Sequence, residues 1–223
     1  MMERVLEPEV MDTWEDAVEY DEMDFRDVND AFARRALELG PPHGSILDAG
    51  TGTARIPVLI AEKKAGLKIT AIDLSANMLK IGSQHVANAG LADRITLQLV
   101  DAKQLPFPSG SFDMVISNSI VHHLPDPLPF LREVARVVRP GGGLLVRDLF
   151  RPMNESALSE LVARVCANDD EHQRKLFRDS CKASFMLAEV RDLVKESGIE
   201  GSTVEQTSDR HWTLERPWMK RGS

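Results

Sequence analysis

Three aspartates close three short apolar runs, and a glycine loop lies among them. The run Ser45-Ile-Leu-Asp-Ala-Gly50 passes into Thr51-Gly52-Thr-Ala54. Glycine at such a place lets the main chain turn tightly and lets a ligand approach the backbone. By itself the loop suits a dinucleotide, a nucleotide sugar or a plain structural turn. Asp48 narrows the choice. A carboxylate two residues before the first glycine would repel a pyrophosphate and suits a ligand with a cationic amine. Asp73 closes the second run, where an acid can accept from two ribose hydroxyls. Asp101 closes the third, beside Ala102, and can accept from an adenine amino group. Acids at the ends of successive strands would line one crevice.

A second set of residues could move protons. His122 and His123 follow the fourth apolar run, in Ser117-Asn-Ser-Ile-Val-His122-His123-Leu124, and His211 precedes Trp212 near the C-terminus. Each is a candidate base for an acceptor that must lose a proton. Arg147 could hold an anionic group, or form a salt bridge. Adjacent residues on a regular strand point to opposite faces, so His122 and His123 read as lacking metal-ligand spacing, and no metal site is expected. Cys166 and Cys181 form no CxxC and read as reduced, partly buried thiols.

The elements that must position these groups alternate. Strands are expected at 45–50, 68–73, 95–101, 112–118 and 144–149. Helices are expected at 56–64, from Ser75 to about 89 with Gly90 as the stop, and after Asp126-Pro127, ended by Pro140-Gly-Gly-Gly143. This alternation predicts a doubly wound α/β sheet with helices on both faces. A helix at 187–197 stopped by Gly198, then strands near 203–206 and 211–214, add an antiparallel edge pair. Residues 1–40 are acidic and mostly helical, clearest over 29–39, and 153–183 read as one or two helices.

Hydrophobic residues make up 43% of the 223 and charged residues 28%, as in a soluble globular chain. No apolar run approaches the ~18 residues of a membrane span, and the N-terminus lacks an apolar signal core. A cytoplasmic protein with no membrane partner is expected. The net charge of −8 disfavours nucleic acid as a main ligand.

On these residues the chain resembles a class I S-adenosylmethionine-dependent methyltransferase of the ubiquinone/menaquinone-methyltransferase-like group. Leu47-Asp-Ala-Gly-Thr-Gly-Thr-Ala resembles the first motif of that family, with Ala54 where a third glycine is common. Ala71-Ile-Asp-Leu-Ser-Ala-Asn-Met78 resembles its ribose-binding motif. Asp101-Ala102, Leu105-Pro-Phe-Pro108, Phe112-Asp113 and Arg139-Pro-Gly-Gly142 resemble the later ones. The resemblance is tight over 45–150 and loose over 185–215.

It implies a Rossmann-like, seven-stranded, mostly parallel sheet with an antiparallel last strand, in one domain. Within it, 1–40 would be an N-terminal helical lid and 41–152 the cofactor core. Residues 153–184 would be a helical substrate cap inserted after the fifth core strand, and 185–223 the closing helix and strand pair. S-adenosylmethionine is the implied cofactor and S-adenosylhomocysteine the product. Asp48, Ala49, Gly50, Thr51 and Gly52 would pass by the methionyl part. Asp73 and Leu74 would bind the ribose, Asp101 and Ala102 the adenine, and Asn118 and Ser119 would flank the reaction centre. Tyr20, in the acidic stretch 19–24, would close over the methionine end, with Trp14, Met23 and Phe25 as apolar lining. The implied reaction is in-line methyl transfer to a small molecule, by a monomer or homodimer. A protein or RNA methyltransferase and a non-catalytic cofactor-binding subunit are the alternatives. A nicotinamide oxidoreductase is disfavoured by Asp48 and by the lack of a Tyr-x-x-x-Lys pair.

Overall fold

The computed structural model describes residues 2–7, 13–23 and 25–220. Asp24 and residues 8–12, which belong to the acidic region read above as helical, lie outside the described residues. The apolar runs form β1 (Gly44–Ala49), β2 (Leu67–Asp73), β3 (Ile95–Leu99), β4 (Phe112–Asn118) and β5 (Val138–Leu149). These five pair in parallel, in the order β3-β2-β1-β4-β5. Beyond β5 lies β7 (His211–Arg216), antiparallel both to β5 and to the edge strand β6 (Thr203–Gln206). The expected seven-stranded sheet with an antiparallel last strand is therefore present.

Helices α3 (Arg55–Lys63), α4 (Ala76–Asn88) and α5 (Leu128–Val137) lie in the links from β1 to β2, β2 to β3 and β4 to β5. Helices α1 (Trp14–Glu22) and α2 (Arg26–Leu39) precede the sheet. Helices α6 (Glu155–Val165), α7 (Glu171–Ala183) and α8 (Leu187–Ser197) follow β5. Local chemistry sets the boundaries. Ser75 caps α4, its Oγ accepting from Met78 N at 3.2 Å. Asp126 accepts from Leu128 N at 3.0 Å and so begins α5. Gly198, at φ +78°, ends α8.

Alternation along the strands splits the core in two. Leu47, Val115, Leu144, Val146 and Trp212 pack under α5 and α8. Ile46, Ile69, Met114, Ile116 and Leu145 pack under α2, α3 and α4. Successive strands are added outward on one side of β1 and then on the other, so the winding reverses between the parallel strands β1 and β4, which opens a crevice at their carboxyl ends. Among the described residues no helix is long and apolar enough to cross a membrane.

Three expectations need correction. The Pro140-Gly-Gly-Gly143 segment does not end α5; the helix stops at Val137, and the glycines lie inside β5. A Cβ on Gly142 would stand 2.8 Å from Asp113 O, so the glycine serves close strand approach across an irregular register near Phe112 and Met114. The third strand ends at Leu99, leaving Asp101 in the following loop. His122 and His123 do not sit on an extended strand but on a 3₁₀ turn, Val121–His123. That turn brings their rings onto one side, with centroids 4.1 Å apart.

Candidate active site

The crevice holds one open cleft of about 790 Å³, its mouth included. Its floor is the loop between β1 and α3. Gly50 N and Thr51 N both donate to Ile72 O at 2.9 Å, which folds the loop back over β2. Gly50 has φ +75°, and a Cβ there would lie 2.0 Å from Ile120 Cγ2. Only glycine fits that position. Ala54, the residue in place of the usual third glycine, is fully buried and held at φ +59°.

Asp73 organises this floor. One carboxylate oxygen accepts from Gly52 N at 2.7 Å and the other from Ser75 N at 2.9 Å. Burial nevertheless raises its pKa, against the pull of those amides. Asp101 stands across the cleft, accepting from Lys103 N at 2.8 Å with Lys103 Nζ at 3.0 Å. Leu74, Ala102, Asn118 and Ser119 also line the cleft. Ser119 holds φ +61° and donates its N–H to Arg147 O at 2.9 Å, which fixes the turn out of β4.

Asp48 lies beneath the loop rather than in the cleft wall. It is 2% exposed, and its Oδ2 has no hydrogen-bond partner among the described residues. Burial, with Asp73 nearby, pushes its pKa up to about 7. A buried carboxylate of this kind fits a cationic partner supplied by a ligand. Ala49 is buried in the sheet, its carbonyl accepting from Ser117 Oγ at 2.8 Å.

Tyr20 closes the cleft from α1. Its ring lies 5.4 Å from that of Phe25, and its Cε1 would meet a Cβ on Gly52 at 3.6 Å. Burial and the nearby Asp73 push its phenol up to about 12, so it stays a neutral donor. The helix behind it is tethered: Arg55 donates twice to the Asp21 carboxylate, at 2.8 and 2.9 Å. Ala17 and Val18 pack on Met78 and Ile81 of α4. Trp14 does not face the cleft; it is half-exposed beneath Lys80 Nζ, 4.5 Å from the ring centroid.

The candidate bases part company. His123 lines the cleft and His122 lies behind it, 4% exposed. Nδ1 of His122 is 2.5 Å from Asp148 Oδ1. Burial alone would lower the pKa of His122, but Asp148 and Glu7 outweigh it and hold it up at about 9. His211 is not among the cleft residues; its Nδ1 is 2.9 Å from Ser208 Oγ. Burial and the nearby Arg147 and Arg210 push it down to about 4, which leaves it a feeble base at neutral pH. Arg147 makes no carboxylate contact among its described partners. It donates to Asn118 Oδ1 at 3.0 Å and Val28 O at 3.2 Å and covers the Phe32 ring.

Glu7 and Arg4 carry no sequence signal of their own. Glu7 Oε1 lies 3.2 Å from both His122 Nε2 and His123 Nδ1. Cys166 and Cys181 are buried where α6 and α7 pack on the end of β5.

Comparison with known proteins bears on this site. The family model described as a methyltransferase domain matches residues 47–146. Methyltransferase GfsG of Streptomyces halstedii is 36% identical over 173 residues, covering 75% of this chain and 62% of the relative. The 27-O-demethylrifamycin SV methyltransferase of Amycolatopsis mediterranei is 28% identical over 163 residues, covering 73% and 56%. The chain thus spans about three-fifths of the length of these relatives. The solved structure of an S-adenosylmethionine-dependent methyltransferase from Aquifex aeolicus superposes with a TM-score of 0.68 at 17% identity, covering 93% of this chain and 99% of that one.

Proposed function

Because the chain belongs to the class I S-adenosylmethionine-dependent methyltransferase family, in its ubiquinone/menaquinone-methyltransferase-like group, we propose that it methylates a small-molecule acceptor by in-line displacement. The observation that carries this reading is the cleft walled by Asp73, Asp101, the glycine loop, Asn118 and His123. The residues present fit the cofactor: a buried carboxylate with one oxygen unpartnered among the described residues, a Gly50 position that no Cβ could share, and an aromatic ring at the mouth. Asp73 would hold the ribose, Asp101 and Ala102 the adenine, and Asp48 would face the ammonium group. When bound, the cofactor supplies a methyl group already activated on a sulfonium.

The chain's own task is alignment and exclusion of water. A ring face such as that of Tyr20 stabilises a nearby cation. Asn118 and Ser119, held by Arg147, would orient the acceptor at about 3 Å from the methyl carbon. His123 would take the acceptor's proton, being the histidine in the cleft wall. The relative from Amycolatopsis mediterranei, named for an O-methylation of a small molecule, is consistent with an acceptor that loses a proton.

Two measurements test the reading. Calorimetry should show micromolar or tighter binding of S-adenosylhomocysteine. A metabolite screen should then show S-adenosylhomocysteine production with at least one small acceptor. Binding of NADH with neither sulfur cofactor bound would overturn the proposal.

A further inference from the structure

The first residues of the chain bring a carboxylate to the back of the cleft. Met2 N donates to Met153 O and Val5 N to Lys182 O, both at 3.1 Å, so the segment is pinned beside α6 and α7. Arg4 fastens it to the histidine turn. Its guanidinium donates to Ala183 O at 2.5 Å, Pro125 O at 3.0 Å, His122 O at 3.1 Å and Leu124 O at 2.8 Å. It also covers the Phe185 ring, 3.8 Å from the centroid. Glu7 is thereby set against both histidines, with Ser180 Oγ of α7 at 3.2 Å from each carboxylate oxygen.

The result is a chain of four groups, Asp148–His122–Glu7–His123. Side-chain exposure rises along it from 1% at Asp148 through 5% and 14% to 21% at His123. Only His123 reaches the cleft wall. Asp148 also accepts from His122 N at 3.1 Å and Leu149 N at 2.6 Å, so its charge is well solvated by the protein. With both carboxylates ionised, His122 protonated and His123 neutral, the set carries one net negative charge. A proton arriving at His123 neutralises it, which a weakly solvated interior favours. The other groups packed at this turn are Arg4, the Arg151–Glu189 pair and the Cys181 thiol.

We propose that Glu7 is a positioning residue for the methyl transfer proposed above. It holds His123 with Nδ1–H toward its carboxylate and stabilises the imidazolium that forms there. The neutral ring then carries its lone pair on Nε2. The acceptor atom's lone pair forms the bond to the methyl carbon, and the carbon–sulfur pair leaves with sulfur. The acceptor's proton goes to Nε2 of His123. Asp148 and His122 hold Glu7 in place by keeping a positive charge on its other side.

The test begins with ¹⁵N-histidine NMR of the full chain, which needs no acceptor and therefore stands even if no substrate is found. In the wild type, neutral His123 should be the Nδ1–H tautomer. In Glu7→Gln, with the fold checked by circular dichroism, that preference should be lost and the His122 titration midpoint should fall. Glu7→Asp should restore both in part, and Arg4→Ala, which frees the segment, should mimic Glu7→Gln. With an acceptor in hand, Glu7→Gln should lower kcat by roughly 10- to 100-fold, leave KM nearly unchanged, and alter the pH profile. An unchanged His123 tautomer in folded Glu7→Gln overturns the proposal. So does stoichiometric Co²⁺ binding that Glu7→Gln abolishes, because Glu7, His122 and His123 present ligand atoms within 4.8 Å of one another.

Discussion

At Asp48, stability of the free protein and affinity for a cationic ligand pull in opposite directions. Its folded pKa of about 7 stands above the 3.8 of an ordinary aspartate, with burial as the main cause. A raised carboxyl pKa means that the folded state binds the extra proton. Its stabilising contribution is full below pH ~4 and is lost as pH rises through ~7. Asp48→Asn should therefore unfold at higher urea than the wild type at pH 8, with the difference shrinking toward pH 5. The same variant should bind S-adenosylhomocysteine more weakly, and calorimetry would expose a contrary result. Asp73→Ala removes the acceptor for two loop amides and should weaken cofactor binding by about 1–3 kcal/mol, roughly 5- to 150-fold. These acids were legible because strand ends fix where they point. The Asp148–His122 contact was not, since it depends on a turn that no run of residue types announces.

Among the elements, α1 is the one placed to move. It is held by the Asp21–Arg55 pair and by a small cluster of Ala17, Met78 and Ile81, with Tyr20 against the cleft. Few apolar contacts mean a low local opening free energy, which suits a lid that must admit two substrates. Saturating S-adenosylhomocysteine should slow hydrogen exchange over residues 13–23 more than in β6 and β7. Tyr20→Ala should weaken cofactor binding while Tyr20→Phe, which keeps the ring face, loses less. Unchanged exchange together with normal binding by Tyr20→Ala would mean fixed packing. The α6–α7 pair carries its own reporter. Burial pushes the Cys166 and Cys181 thiols up to about 11 and 12, so both should react slowly with a thiol reagent at pH 8 unless this pair opens. Helix ends such as Ser75 and Gly198 were readable from local capping chemistry. The glycines of β5 were misread as a helix stop, because glycine serves strand approach as well as turns.

For the whole molecule, a ligand that binds only the folded cleft should stabilise it by mass action. S-adenosylhomocysteine at about 100 times its Kd contributes about 2.7 kcal/mol, which raises Tm by roughly 5–10 °C for a chain of this size. NADH at the same concentration should leave Tm unchanged in scanning fluorimetry. By itself the sequence determined the alternating sheet, its antiparallel closing strand, and the three acids around a glycine loop. All of these follow from period-2 burial, capping residues and short-range sterics, which act between neighbours in the chain. Only the tertiary structure decided which groups meet across long separations. It left one carboxylate oxygen of Asp48 buried without a partner among the described residues, kept His211 out of the cleft wall, and drew Glu7 and Arg4 onto a turn more than a hundred residues away. Such contacts arise from how packed helices and strands bring distant segments together. Their energy depends on burial and distance, which residue type and spacing do not encode.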